Sequence, residues 1–209
     1  MTTRLDFAVR TLAAAVLLAA LPCSALAQEA KNSINVAFAA APGLGSLNSA
    51  TALMLEYERR VTSNLSVFGR GSSLNYKWDD DTYVEDGSGT GLGVGVRYFT
   101  SPGFKGLYVG GGVGTFKSKW DWIDDKGRSF ETRGKGDSSS IQWGAELGYR
   151  IYLEGGKLSL TPAINVGSWL GGSNSCTYTA PASQAGQPCS KDSQLGFYAV
   201  ASVSLGIAF

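Results

Sequence analysis

The last sixteen residues, Gln194–Phe209 (QLGFYAVASVSLGIAF), alternate in character at every position and end on Phe. Leu195, Phe197, Ala199, Ala201, Val203, Leu205, Ile207 and Phe209 share one face of an extended strand. Gly196, Tyr198, Val200, Ser202, Ser204, Gly206 and Ala208 share the other. Successive side chains of a strand point to opposite sides, so the segment has one apolar face and one small or polar face. A soluble sandwich would pack the apolar face on a second sheet. A membrane barrel would turn it to lipid and keep the other for the lumen.

Seven further segments repeat the alternation, and no convincing amphipathic helix interrupts them. Ser33–Ala41 carries Ile34, Val36 and Phe38 on one side, and Ala50–Arg60 sets Leu53, Leu55 and Tyr57 against Met54, Glu56 and Glu58. Asn64–Tyr76 places Leu65 and Val67 opposite Phe68 and Arg70, and Thr90–Phe99 places Leu92, Val94, Val96 and Tyr98 opposite three glycines and Arg97. In Gly106–Lys119, Leu107, Val109 and Val113 oppose Tyr108 and a row of glycines. In Ser140–Leu153, Ile141, Trp143, Leu147, Tyr149 and Ile151 oppose Gln142, Glu146 and Arg150. Lys157–Leu170 sets Leu158, Leu160, Ile164 and Val166 against Ser159, Thr161, Asn165 and Trp169. Pro162 lies inside that strand, where it predicts a bulge or a lost ladder bond.

The connections are sorted. Val61–Ser63, Ser101–Lys105 and Glu154–Gly156 are tight, whereas Lys77–Gly89, Trp120–Ser139 and Gly171–Ser193 are long and polar; Pro42–Asn48 is short. Short turns on one rim and long loops on the other, with an even strand count, predict an all-β, eight-stranded antiparallel up-and-down transmembrane β-barrel with periplasmic turns and extracellular loops.

Residues 1–27 read as a cleaved secretory leader: Arg4 and Arg10, an apolar run over Thr11–Leu21, and the A-x-A site Ala25-Leu26-Ala27. Pro22 before Cys23 argues against a lipoprotein site, so the barrel domain is expected over residues 28–209. The sequence has 18 basic and 17 acidic residues; removing Arg4, Arg10 and Asp6 leaves 16 of each. That balance gives no electrostatic footprint for nucleic acid. After cleavage Cys176 and Cys189 remain, and an exported chain is expected to pair them as a structural staple.

The alternation sends Glu56, Glu58, Arg70, Arg97, Glu146 and Arg150 inward. Three acids and three bases in a narrow lumen must pair, because a dry unpaired charge costs several kcal/mol. A plug is the expectation for such a network, and a gate whose ion pairs exchange is the alternative. Tyr57, Tyr98, Trp143, Tyr149 and Phe209 fall outward near strand ends and read as aromatic girdles. The inward glycines read as room for large rings on neighbouring strands; GTGLGVG (Gly89–Gly95) lacks the helix a phosphate loop needs.

With these features in place, residues 32–209 resemble the small outer-membrane β-barrels of the OmpA- and OmpX-like kind. The most specific piece is SVSLGIAF (Ser202–Phe209), similar to the C-terminal assembly signal of that class, with Leu205, Ile207 and Phe209 on its apolar face. No appended peptidoglycan-binding domain is expected after it. The resemblance implies a place in the Gram-negative outer membrane, with membrane lipids, lipopolysaccharide and the barrel-assembly machinery as partners. It implies no cofactor. A structural and surface-interaction role, with loop-mediated adhesion or host contact, is the expected function. A narrow channel for small or apolar solutes, as in the OmpW-like branch, is the alternative. Lipid-modifying enzymes and proteases of similar architecture use a catalytic histidine, and this chain has none. An acidic dyad among Asp79, Asp80, Asp81, Glu85 and Asp86 is left as the residual enzymatic option. Trp120, Trp122 and Ile123, read as exposed among Asp121, Asp124 and Asp125, form the candidate contact site of the loops. A hairpin tip seating Trp at the lipid headgroups is the competing reading. The acidic runs do not match a calcium-loop spacing, and no metal is expected.

Overall fold

The computed structural model describes residues 30–44, 47–153, 156–190 and 196–209. The leader at 1–27, Cys23 and the expected mature start at Gln28 lie outside the described residues, as do Glu154, Gly155 and Leu195. Eight strands follow one another: β1 (Asn32–Leu44), β2 (Leu47–Arg60), β3 (Leu65–Asp79), β4 (Tyr83–Ser101), β5 (Lys105–Asp124), β6 (Thr132–Tyr152), β7 (Leu158–Ala180) and β8 (Phe197–Ala208). Each pairs antiparallel with the next, and β8 returns to β1 from Ser33–Ala208 to Ala40–Ala201, closing the barrel. Closure pairs every strand on both sides, the condition for crossing a hydrocarbon layer with strands.

The outward face follows the sequence pattern through the lower part of the barrel. Leu92, Val94, Val96 and Tyr98 on β4, and Ile141, Trp143, Leu147, Tyr149 and Ile151 on β6, are all exposed. From Ile141 to Ile151 this band runs about 33 Å along the strand, or about 25 Å along the barrel axis at the usual tilt, the height of a lipid-facing belt. Tyr57, Tyr98, Tyr149 and Phe209 lie outward at the turn end, and Trp143 one outward position below the top of its apolar run.

Above that band the strands continue where sequence reading placed loops. The segments 77–89 and 120–139 are in large part strand, and 171–193 is strand as far as Ala180: β4 begins at Tyr83, β5 runs to Asp124, β6 begins at Thr132 and β7 runs to Ala180. The phase of the alternation is unchanged but its polarity is inverted. On β5 the outward series Leu107, Val109, Val113 gives way to Thr115, Lys117, Lys119 and Asp121. The inward series changes from glycines to Phe116, Ser118, Trp120 and Trp122. A strand that is polar outside and apolar inside suits water around it, so the chain changes solvent without changing conformation. The rim is also oblique: β5, β6 and β7 have 20, 21 and 23 residues, against 13, 14 and 12 for β1, β2 and β8.

The inward glycines fall under large side chains. A Cβ at Gly95 would strike the ring of Phe68, one at Gly89 that of Phe116, one at Gly148 that of Tyr108, and ones at Gly134 and Gly136 those of Trp122 and Trp120. Pro162 keeps its place opposite Val203. On its other side the β6–β7 ladder lapses between Gly148–Ala163 and Ile151–Leu160, with the same register on both sides, so the residue costs ladder bonds without making a bulge.

The tight turn after β4 holds a residue the alternation did not single out. Phe104 has φ 62°, a left-handed conformation uncommon for a bulky residue, and is fully buried. The flanking Gly103 and Gly106 have φ 82° and 81°. This geometry folds the Phe104 ring back into the barrel against Phe99, edge-on with centroids 5.6 Å apart, and Tyr108 packs on the same Phe99 at 5.1 Å. The three rings close the turn end of the lumen.

Candidate functional site

The six inward charges meet in one network across the barrel's lower half. Glu58 accepts from Arg150 at 2.8 Å and Arg97 at 3.1 Å. Ser66 donates its hydroxyl to Glu58 at 2.5 Å. Arg97 also binds Glu56 and Glu146, and Arg70 bridges the same two carboxylates at 2.7 and 3.0 Å. The Asn35 amide donates to Glu56 at 3.2 Å, and Arg150 Nε to the Thr161 hydroxyl at 3.3 Å. Three negative and three positive charges therefore balance inside the wall. Five of the six side chains are buried, Arg70 being the partly exposed one.

Aromatic faces complete the network. The guanidinium carbons of Arg97 and Arg70 lie 4.4 and 4.8 Å from the ring centre of Phe68, and that of Arg150 lies 5.2 Å from Phe99. Delocalised guanidinium groups bond in their plane and stack on their faces, which is why arginine suits this position better than lysine. The sequence pattern placed the charges inward. It did not point to the rings of Phe68, Phe99 and Tyr108 as the surfaces on which they stack.

The loop end is closed by a second cluster. Tyr76, Tyr83, Trp120, Trp122 and Cys176 are buried together, with Trp78, Tyr178 and Cys189 packed against them. Trp122 meets Tyr178 edge-on at 5.6 Å. In the same row as Trp122 and Trp78, Glu85, fully buried, accepts from the hydroxyls of Tyr76 and Tyr83 at 2.5 and 2.7 Å. This corrects the reading of Trp120 and Trp122 as an exposed contact site: they are 2% and 1% exposed, and Ile123 is half-buried. The physical reason is the inverted polarity of upper β5, which turns both indoles over Gly136 and Gly134 into the barrel. The signal was present in RGKGD (Arg133–Asp137), where polar residues alternate with the glycines that leave room for the two rings.

Cys176 and Cys189 form a disulfide with Cα atoms 5.0 Å apart. The chain after β7 folds back along the strand: Cys189 N donates to Cys176 O at 3.0 Å and Tyr178 N to Gln187 O at 3.0 Å. The staple thus holds a short hairpin against the aromatic roof. In the β3–β4 turn, Asp80 accepts from the amides of Thr82 at 3.0 Å and Tyr83 at 2.7 Å. These bonds hold its carboxyl below the ordinary aspartate range. Among the described residues no group of three or more His, Cys, Asp or Glu side chains is placed to hold a metal. The acidic option is not drawn together: Glu85 is buried between tyrosines, while Asp80, Asp81 and Asp86 are exposed.

Between the charged floor and the aromatic roof lies a cavity of about 440 Å³. Phe68, Tyr76, Phe116, Trp169 and Tyr198 line it with ring faces, and Arg70 and Glu146 reach its floor. Trp169 stacks at 5.6 Å on Phe116 and 4.7 Å on Tyr198.

A closed ring of eight antiparallel up-and-down strands with an outward apolar belt is an architecture of outer-membrane β-barrels. Solved structures of that class match it. Ail, the attachment invasion locus protein of Yersinia pestis, superposes with a TM-score of 0.52 at 12% identity, covering 87% of this chain and 100% of its own. Ail in complex with the heparin analogue sucrose octasulfate gives 0.51 at the same identity and coverage. A major outer membrane protein from Thermus thermophilus gives 0.50 at 13% identity, covering 84% of this chain and 99% of its own. Likeness at this identity carries the fold. No family model matches the sequence, and no curated protein does.

Proposed function

We propose that this chain, exported by the leader at 1–27, is an outer-membrane β-barrel with a structural and surface-contact role, its lumen closed by side chains and its loop end presented outside the cell. The observation that carries this reading is the switch of the outward face from apolar to charged along continuous strands. The lower barrel is built for lipid and the upper barrel for water.

Lys77, Lys117, Lys119, Arg133 and Lys135 are exposed cations of the upper wall, on β3, β5 and β6. In a bilayer they stand beside the phosphates of lipopolysaccharide, which makes that lipid the nearest partner on chemical grounds. That Ail was solved in complex with the heparin analogue sucrose octasulfate supports a ligand-contact role for a barrel of this fold. The apolar face of β8, with Leu205, Ile207 and Phe209, is the surface we assign to the assembly machinery. Among the described residues we find no constellation that supports catalysis.

A narrow channel is the second reading, favoured by the cavity in the lumen. Planar-bilayer recording separates the two. Reconstituted protein is expected to show no sustained conductance; discrete, lasting channels would overturn the plug. Cysteines placed at Lys119 and Lys135 are expected to react with an impermeant maleimide on intact cells. Recovery of the protein in the soluble periplasmic fraction would overturn the membrane placement itself.

A further inference from the structure

We infer that the lumenal cavity is a binding site for a small uncharged molecule, with an apolar body and one hydrogen-bond acceptor, that enters from the membrane at the low side of the rim. The inference rests on the membrane placement proposed above. At about 440 Å³ the cavity lies in the range of small-molecule sites rather than packing defects. Rings of Phe68, Tyr76, Phe116, Trp169 and Tyr198 line it among glycine, alanine and aliphatic positions, and the amides along it are committed elsewhere. Gln142 Nε2 donates to the Tyr198 hydroxyl at 3.0 Å, and Asn165 Nδ2 to the Ser202 hydroxyl at 2.8 Å.

Two lining donors are not committed: the buried Trp169 Nε1, which has no hydrogen-bond partner among the described residues, and Arg70, the charged one. Its Nε and Nη2 serve Glu56 and Glu146, while Nη1 has no partner among the described residues. Its side chain is 23% exposed, against 4–5% for Arg97, Glu56 and Glu146. One guanidinium N–H edge therefore faces the cavity, offering a charge-assisted hydrogen bond to a carbonyl or hydroxyl oxygen. The floor is already neutral, three acids against three bases, so an anion would arrive as an uncompensated buried charge. An uncharged acceptor takes the hydrogen bond without that cost.

The ion network lies below the cavity and the Tyr76–Trp122 cluster above it, and the low rim is the side we assign to entry. Among the described residues the β1–β8 ladder stops at Ala40–Ala201, while β7 pairs with β8 as far as Ser168–Phe197. Above Ala40, β1 is paired with β2 alone. The cavity reaches this side through Ala39, Ala50 and Ala52 and through Gly196–Val200. Phe197, exposed and outward at the first position of β8, marks lipid contact at the same level.

The test uses the full barrel in lipid nanodiscs with Trp143→Phe, which removes the lipid-exposed indole. 4-Bromoacetophenone, an uncharged heavy-atom quencher with one carbonyl, is the probe. Saturable quenching of the remaining tryptophans is expected, and it is expected to disappear in Ser72→Phe and in Ala52→Phe, two independent fillings of the cavity from β3 and β2. 1-Bromo-4-ethylbenzene, which lacks the carbonyl, is expected to bind about tenfold more weakly, the worth of one hydrogen bond to a charged donor. Unsaturable quenching that is equal in all three proteins would mean partition into lipid alone and overturn the site. Saturable quenching that survives both fillings would place the ligand elsewhere and overturn it too. Equal affinity for the two probes would overturn the role of Arg70. Failure of the protein to enter nanodiscs as a heat-modifiable barrel would instead strike the membrane placement, and gel mobility reads that separately.

Discussion

Arg97 and Glu146 lie in one row of the barrel wall, two strands apart, and the residue between them on β5 is Gly110. A Cβ at Gly110 would come within 2.7 Å of the Glu146 carboxylate and 3.0 Å of Arg97 Cγ. The ion pair closes over that glycine because nothing stands there.

Gly110→Ala is therefore expected to destabilise the barrel by about 1–3 kcal/mol, the usual cost of overpacking a filled interior. Gly69→Ala, where an added Cβ meets nothing within 4 Å, is the control and is expected to be neutral within about 0.5 kcal/mol. Urea unfolding in detergent micelles measures both.

Removing one member of the network leaves buried charge without a partner. Arg97→Met is expected to cost about 3–5 kcal/mol. Combining it with Glu146→Gln is expected to recover part of that loss, because the stranded carboxylate is what costs most. A double-mutant cycle by the same unfolding measurement decides it; strict additivity would mean the pair acts independently.

The disulfide staples the roof rather than the wall. Cys176→Ser with Cys189→Ser is expected to leave the heat-modifiable barrel intact while residues 181–190 become open to added protease. On the chain-entropy account, closing a loop of this length contributes about 3 kcal/mol. Here that contribution is confined to the hairpin. Loss of heat-modifiability in the double variant would show that the staple supports the barrel itself.

Acid is expected to open the β3–β4 turn late. The bonds from the Thr82 and Tyr83 amides hold the Asp80 carboxyl below its ordinary 3.8. A depressed carboxyl stabilises the folded turn fully above its unfolded value and loses that contribution as pH falls through the lower folded value. Protection of the Thr82 and Tyr83 amides, relative to free amides at the same pH, should therefore persist down to about pH 4 and fall only in stronger acid. In Asp80→Ala it should be lost at neutral pH as well.

Much of this architecture was legible because a strand's two faces repeat every second residue. The inward set Glu56, Glu58, Arg70, Arg97, Glu146 and Arg150 follows from phase alone, and so does the outward placing of Tyr57, Tyr98 and Tyr149. What phase could not supply was the solvent. Asp121 beside Trp120 and Trp122 reads as an exposed loop only if apolar residues are assumed to face the membrane. Above the lipid the same alternation means the reverse, and the partner glycines Gly134 and Gly136 sit more than a turn away in sequence. Phe104 was hidden for another reason: its inward direction comes from a left-handed backbone in a tight turn, not from any alternation. The cavity depends on which rings tilt toward one another across β3, β5, β7 and β8, a relation between distant strands that no single segment records.

The reversal of polarity partway up the strands also fixes how deep the barrel can ride. Sinking by one inward–outward repeat would drag Lys117 into hydrocarbon, and rising by the same step would lift Leu92 and Ile141 into water. Each misplacement is penalised on several strands together, so modest mismatch costs add. The barrel carries its own waterline, and a bilayer of another thickness would have to bend to meet it.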